Sequence, residues 1–153
     1  MSKQAQPAID PNALMAQVEL LRQRLAQLEA AIAELERARL NTARARETIK
    51  ASSENDVLLA PTDPDYNAII KVRVEEKGKS IIRLGENIYV KLPSEQAVQI
   101  LEDRERILSK RIGELRAEHA ETARALEAAE SLLQQAALAA QAAVMAGQKG
   151  EKK

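Results

Sequence analysis

Seven apolar residues, Leu14, Val18, Leu21, Leu25, Leu28, Ile32 and Leu35, recur in this chain at alternating steps of four and three. That spacing puts all of them on one narrow stripe of a helix, the stripe that two helices bury against each other in a coiled coil. A stripe of this kind needs a partner, and the chain supplies one. Val98, Leu101, Glu105, Leu108, Ile112, Leu115, His119, Thr122, Leu126, Ala129, Leu133, Ala136, Ala140 and Ala143 keep the same rhythm. Two helical arms are therefore expected, over 12–50 and 94–145. At ~1.5 Å of rise per residue the first spans about 60 Å.

Between the arms the period drops from seven to two. Val57 and Leu59 alternate with their neighbours; Ala68, Ile70, Val72 and Val74 share a face; Ile82 and Leu84 follow, then Ile88, Val90 and Leu92 opposite Tyr89 and Lys91. Turn residues separate these runs at Pro61-Thr62-Asp63-Pro64-Asp65, Glu75-Glu76-Lys77-Gly78-Lys79 and Gly85-Glu86-Asn87. Four short strands are predicted within 56–92. Too few residues remain to cover their apolar face, so Val57, Leu59, Ile70, Val72, Val74, Ile82, Leu84, Ile88, Val90 and Leu92 are candidates for burial against another chain. The fold class is α+β: an antiparallel coiled coil of two long helices joined by a four-stranded insert of two β-hairpins that builds an oligomeric β-barrel. Residues 1–11 are expected to be a flexible start, with Asp10 or Asn12 capping the first helix and Pro11 in its first turn. Ser94 should cap the second helix, and 146–153 should be a disordered tail.

Composition narrows the functions open to such a chain. There is no Trp, Phe or Cys, and Tyr66 and Tyr89 are the two aromatic residues. Globular enzyme pockets are usually lined by the rings missing here. The lone His119 sits on the coiled-coil stripe, where a packed polar residue is the simpler reading than a base or a metal ligand. No GxxxxGK loop is present to cradle nucleotide phosphates. We therefore expect no catalysis, metal or cofactor. Lys plus Arg equals Asp plus Glu at 23 each, so no net field steers the chain to nucleic acid or to a membrane. The local basic run Arg37, Arg39, Arg44, Arg46 and Lys50 lacks interleaved aromatics and reads as a solvated helix face. With neither a signal-type leader nor an apolar run of membrane length, the expected address is the cytoplasm.

Laying the arms antiparallel with Ile49 beside Val98 sets Val18 against Ala129 and brackets Glu105, the one acid of the second stripe, with Arg39 and Arg46. This charge cluster is expected to fix the register more than to add stability. At the far end Ile9, Leu14, Met15 and Val18 come near Leu132, Leu133, Leu138, Val144 and Met145, while the stripe thins to alanine. Two readings stand on these residues: an adaptable apolar surface for varied partners, or alanines that let the helices pack closely while the ends fray.

The order helix, four strands, helix resembles the prefoldin family, in particular its archaeal-type alpha class. The resemblance covers nearly the whole chain. It is carried by Val57-Leu58-Leu59-Ala60-Pro61, by the Ala68–Val74 and Ser80–Arg104 segments, and most specifically by the hairpin Leu84-Gly85-Glu86-Asn87-Ile88-Tyr89-Val90 running into an acidic helix start. Where family members often have a glycine-rich turn after the first strand, this chain has Pro61–Asn67. The resemblance implies an ATP-independent chaperone subunit working in a hexamer with beta-class partners, two alpha and four beta. In it the strands form a platform, and the arm tips hold unfolded clients for a group II chaperonin. It maps client contact onto the tip residues named above and assembly onto the strand face. The alternative implied is a structural scaffold or filament-forming subunit.

Overall fold

The computed structural model describes residues 10–151. Its elements run α1 (Pro11–Glu54), β1 (Val57–Pro61), β2 (Ile69–Arg73), β3 (Lys79–Arg83), β4 (Tyr89–Pro93) and α2 (Ser94–Gly150). They divide into two compact units, one holding the residues up to Ile32 and from Gly113 onward, the other Ala33–Ile112.

The start of α1 follows from local chemistry. Asn12 N donates to Asp10 Oδ1 at 3.0 Å and Leu14 N to the Asp10 carbonyl at 3.1 Å, so Asp10 takes up orphan amides of the first turn. Pro11, with no N–H to satisfy, occupies the first helical position.

In the first unit Leu14, Val18 and Ala129 form a buried cluster flanked by Leu21, Leu126 and Leu133. Farther along, Arg22 Nη2 donates to Glu130 Oε1 at 2.6 Å, Arg24 pairs with Glu118, and His119 Nε2 lies 3.2 Å from Glu29 Oε1. Positions rise along α1 as their partners fall along α2, from Val18 beside Ala129 to Glu29 beside His119. The helices of this unit are thus antiparallel. The alanine at 129 lets Leu14 and Val18 seat against α2. These ion pairs are solvated and worth at most about 1 kcal/mol each, so apolar burial carries the pairing.

The helix continues where a disordered tail was expected: α2 includes residues 146–150, all exposed. Gln148 and Lys149 are good helix formers and no proline intervenes, so propensity extends the helix without packing. The expected tail residues Lys152 and Lys153 lie outside the described set.

In the second unit the strands form two separate antiparallel sheets, β1 with β2 and β3 with β4. The pairs are Val57↔Arg73, Leu58↔Val72, Leu59↔Lys71, Ala60↔Ile70 and Pro61↔Ile69 in the first hairpin, and Lys79↔Pro93, Ser80↔Leu92, Ile81↔Lys91, Ile82↔Val90 and Arg83↔Tyr89 in the second. No barrel closes within the described chain; the two hairpins leave outer strand edges unpaired. The 62–68 loop is organised by Asp63, whose Oδ1 accepts from Asp65 N at 2.9 Å, Asn67 N at 3.3 Å and Asn67 Nδ2 at 3.0 Å. Desolvation pushes this carboxyl up, but the hydrogen bonds from Asn67, Asp65 and Thr62 outweigh it and hold the group below its ordinary value. Tyr66 closes the loop at φ 60°, a left-handed conformation that costs a side-chain-bearing residue about 1 kcal/mol.

Candidate functional site

Two surfaces correspond to the sequence candidates: the strand faces of the second unit and the apolar end of the first.

Cross-strand partners share a face, so the register sorts the strand residues. One face of the first hairpin carries Leu58, Ala60, Ile70 and Val72; the other carries Val57, Leu59, Ile69, Lys71 and Arg73. Val57 and Leu59 therefore do not join Ile70, Val72 and Val74 on one surface, as the assembly set requires. Leu59 is 72% exposed on the side shared with the basic residues. In the second hairpin Ile82, Val90 and Leu92 do share a face, and Leu84 N donating to the Ile88 carbonyl at 2.8 Å continues the ladder to Leu84 and Ile88.

Ile82 needs no second chain to be buried. It is 5% exposed, and lines a shallow groove with Thr42, Ala45, Ile49 and Leu101 of its own helices. The hairpin is tied down beside it. Ser94 N donates to the Gly78 carbonyl at 2.8 Å, Ser80 Oγ and Ser94 Oγ are 2.9 Å apart, and Arg104 Nη2 donates to the Arg83 carbonyl. Ser94 is buried, and its hydroxyl bonds Ser80 rather than capping the helix toward Ala97. Gly78 reaches this contact with φ +80°, which favours glycine at the turn. The residues left open for assembly are Ile70, Leu84 and Ile88, at 52%, 48% and 61% exposure, with Val72, Val74, Val90 and Leu92 half-buried.

The register cluster forms with one member missing. Arg46 Nε lies 3.1 Å from Glu105 Oε1 and Arg46 Nη1 lies 3.8 Å from Glu102. The Nε and Oε1 atoms are shut off from water and face each other without an aligned hydrogen bond, so their attraction is chiefly one of charge. Arg39 is exposed and makes no ion pair among the described residues; Ala38 takes the half-buried place beside it. An alanine enters the seam without the desolvation that a guanidinium would suffer, so the stripe steps from Leu35 to Ala38 to Thr42 to Arg46. Thr42 meets its own need by donating to the Ala38 carbonyl at 2.8 Å.

At the far end the candidates divide by burial. Leu14 and Val18, at 6% and 5% exposure, are spent on the seam with Ala129, and Leu133 is half-buried against them; this is where heptad positions belong. Met15, Leu132, Leu138, Val144 and Met145 are exposed. Met15 and Leu133 line a groove with Val18, Glu19, Arg22, Glu130, Gln134 and Ala137. Beyond Ala136, α2 carries Leu138, Val144 and Met145 with every residue of 137–151 exposed. Ile9 lies outside the described residues. Sequence reading passed over Leu20, Leu40 and Ile107, each more than half exposed, because they fall off the heptad stripe.

Among the described residues no group of His, Cys, Asp and Glu is placed to hold a metal ion, and no helix is long and apolar enough to cross a membrane.

Two antiparallel arms, a pair of strand hairpins with open edges and apolar side chains displayed at the arm ends define a class of protein that works by assembly and contact. A family model, "Prefoldin subunit", matches residues 14–138, and the chain belongs to the prefoldin family, a family of chaperones rather than enzymes. It is 37% identical over 145 residues to a prefoldin subunit alpha of Aeropyrum pernix, covering 94% of this chain and 95% of that one. Among solved structures it is similar to the filamentous prefoldin of Methanocaldococcus jannaschii, with a TM-score of 0.46 and 26% identity over 78% of this chain and 94% of the other.

Proposed function

We propose that this chain is an alpha-class subunit of a cytoplasmic, ATP-independent prefoldin hexamer of two alpha and four beta subunits, capturing unfolded proteins at its arm ends for a group II chaperonin. The observation that carries the capture reading is the stretch of α2 beyond Ala136, where Leu138, Val144 and Met145 are 60%, 61% and 68% exposed with nothing packed on them. A soluble chain gains nothing in its own fold from such side chains. A holdase gains from them several weak contacts, each methylene worth ~0.8 kcal/mol, that grip collectively and release one by one. Methionine on an unpartnered helix face adapts to varied sequences. No nucleotide, metal, nucleic acid or membrane enters this mechanism.

The strand faces support the assembly half. Ile70, Leu84 and Ile88 leave apolar surface open beside unpaired strand edges, a combination that invites pairing with another chain. The same open edges favour a second reading, a self-assembling scaffold. Light scattering separates the two: a closed hexamer with a beta-class subunit supports the first, an open-ended polymer of the chain by itself the second.

The test of capture is the triple variant Leu138→Ser, Val144→Ser, Met145→Ser. Because all three side chains are exposed, its melting temperature and assembly mass should match the parent, while suppression of aggregation of a denatured protein falls severalfold. Undiminished suppression would rule out capture at this end.

A further inference from the structure

The strand faces that the assembly reading leaves unused have a composition of their own. On them each interior cross-strand pair couples one apolar residue with one cation: Val57 with Arg73, Leu59 with Lys71, Ile81 with Lys91, Tyr89 with Arg83. No acidic residue lies in any of the four strands. The acids of this region sit at the turns instead, and one of them, Glu76, bonds Lys91 and lies 4.0 Å from Lys79. Lys71, Arg73 and Arg83 make no ion pair among the described residues. Leu59, Ile81 and Tyr89 beside them are 72%, 67% and 63% exposed.

The argument rests on the assembly reading given above, and assembly does not hide these faces. A barrel formed by the hairpins must turn Leu58, Ile70, Val72, Ile82 and Val90 inward, because burying a row of unpaired ammonium and guanidinium groups costs several kcal/mol each. The apolar–basic faces then point outward. Alternating apolar and basic side chains at strand spacing match an extended segment whose own side chains alternate apolar and acidic. We propose that these outward faces are a docking surface for an extended acidic segment of a partner protein, with Lys71, Arg73 and Arg83 reading its carboxylates and Leu59, Ile81 and Tyr89 its apolar residues. Charge complementarity would supply the selectivity and the rate of encounter, and the apolar contacts would slow release.

The probe is a dye-labelled peptide of about twelve residues alternating Glu and Leu, long enough to span a strand pair, titrated into the assembled complex and followed by anisotropy. Binding should weaken about threefold or more between low and physiological salt, as exposed charges do. It should be about tenfold weaker with Gln replacing Glu in the peptide, and lost in the Lys71→Glu, Arg73→Glu, Arg83→Glu variant. The tip variant Leu138→Ser, Val144→Ser, Met145→Ser should bind normally, which separates this surface from client capture. Should the charge reversal disturb assembly, Lys71→Gln, Arg73→Gln, Arg83→Gln at unchanged mass takes its place, with binding at least fivefold weaker. Equal affinity for the Gln peptide, full binding by the strand variants, loss confined to the tip variant, or stronger binding of single-stranded DNA than of the acidic peptide would each overturn the proposal. So would aggregation of the Gln variant when the parent does not bind the peptide, since the cations would then only guard the strands against pairing. A parent chain that never assembles would instead count against the assembly reading.

Discussion

The two hairpins are built to one pattern and held in different ways. The second is anchored by its own chain: Ile82 is buried on the helices, Ser80 meets Ser94, and Arg104 holds the Arg83 carbonyl. The first has no buried residue in either strand and is ordered mainly by its own ladder and by the Asp63 loop. One hairpin is therefore part of the folded subunit, and the other waits for a surface to complete it. An assembling protein gains from this division, since the anchored hairpin positions the platform and the open one leaves apolar surface for a neighbour.

The sharpest way to break the comparison is to charge each hairpin at its apolar face. Ile82→Asp should lower stability by ~3 kcal/mol or more, visible as a lost or depressed melting transition of the subunit by itself, because the carboxylate enters an apolar site. An unchanged melt would show that the second hairpin is not anchored. Next in size is the charge pair behind it. Glu105→Ala leaves Arg46 half-buried with Glu102 at 3.8 Å as its remaining partner, and should cost about 1–2 kcal/mol in a denaturant melt, less than the ~3–5 of a fully buried pair. Arg39→Ala should change nothing measurable.

Two smaller effects sharpen the other side. Tyr66→Gly should raise the stability of the first hairpin by a few tenths of a kcal/mol to ~1, since glycine adopts φ 60° without the side-chain penalty, partly offset by unfolded-chain entropy. Hydrogen exchange at Thr62 and Val74 would report it, with no change in the second hairpin. The Asp63 carboxyl, held below its ordinary value by its hydrogen bonds, contributes stability that is fully present above the ordinary carboxylate range and is lost as pH falls through its lowered value. Exchange at Asp65 and Asn67 should therefore quicken on acidification beyond the intrinsic pH dependence. Asp63→Ala should abolish that extra dependence.

Much of this fold is legible in the sequence because its two periods differ so clearly. Seven residues at alternating steps of four and three point to one helix stripe, and the change to alternation near Val57 marks where it stops. The antiparallel register follows from matching stripes, as Val18 beside Ala129 shows. The errors fall where a local pattern has more than one solution. Val57, Leu58, Leu59 and Ala60 are apolar on both sides of the strand, so alternation cannot say which side meets Ile70; the register set by the 62–68 loop decides it. Arg39 fits the heptad by count, yet Ala38 fits the seam at lower cost. Leu14 and Val18 look like tip residues until the depth of their packing is known. The Ser80–Ser94 contact joins residues fourteen positions apart and leaves no periodic trace.

The account stands on the claim that the first hairpin is completed by another chain, and the solution mass of Ile70→Asp mixed with a beta-class subunit tests it most directly. The parent chain should give the mass of two alpha and four beta subunits. The variant should remain unassembled with its helicity and melting transition intact, because Ile70 is 52% exposed and supports nothing within its own subunit. A variant that reaches the full hexamer mass would contradict the claim.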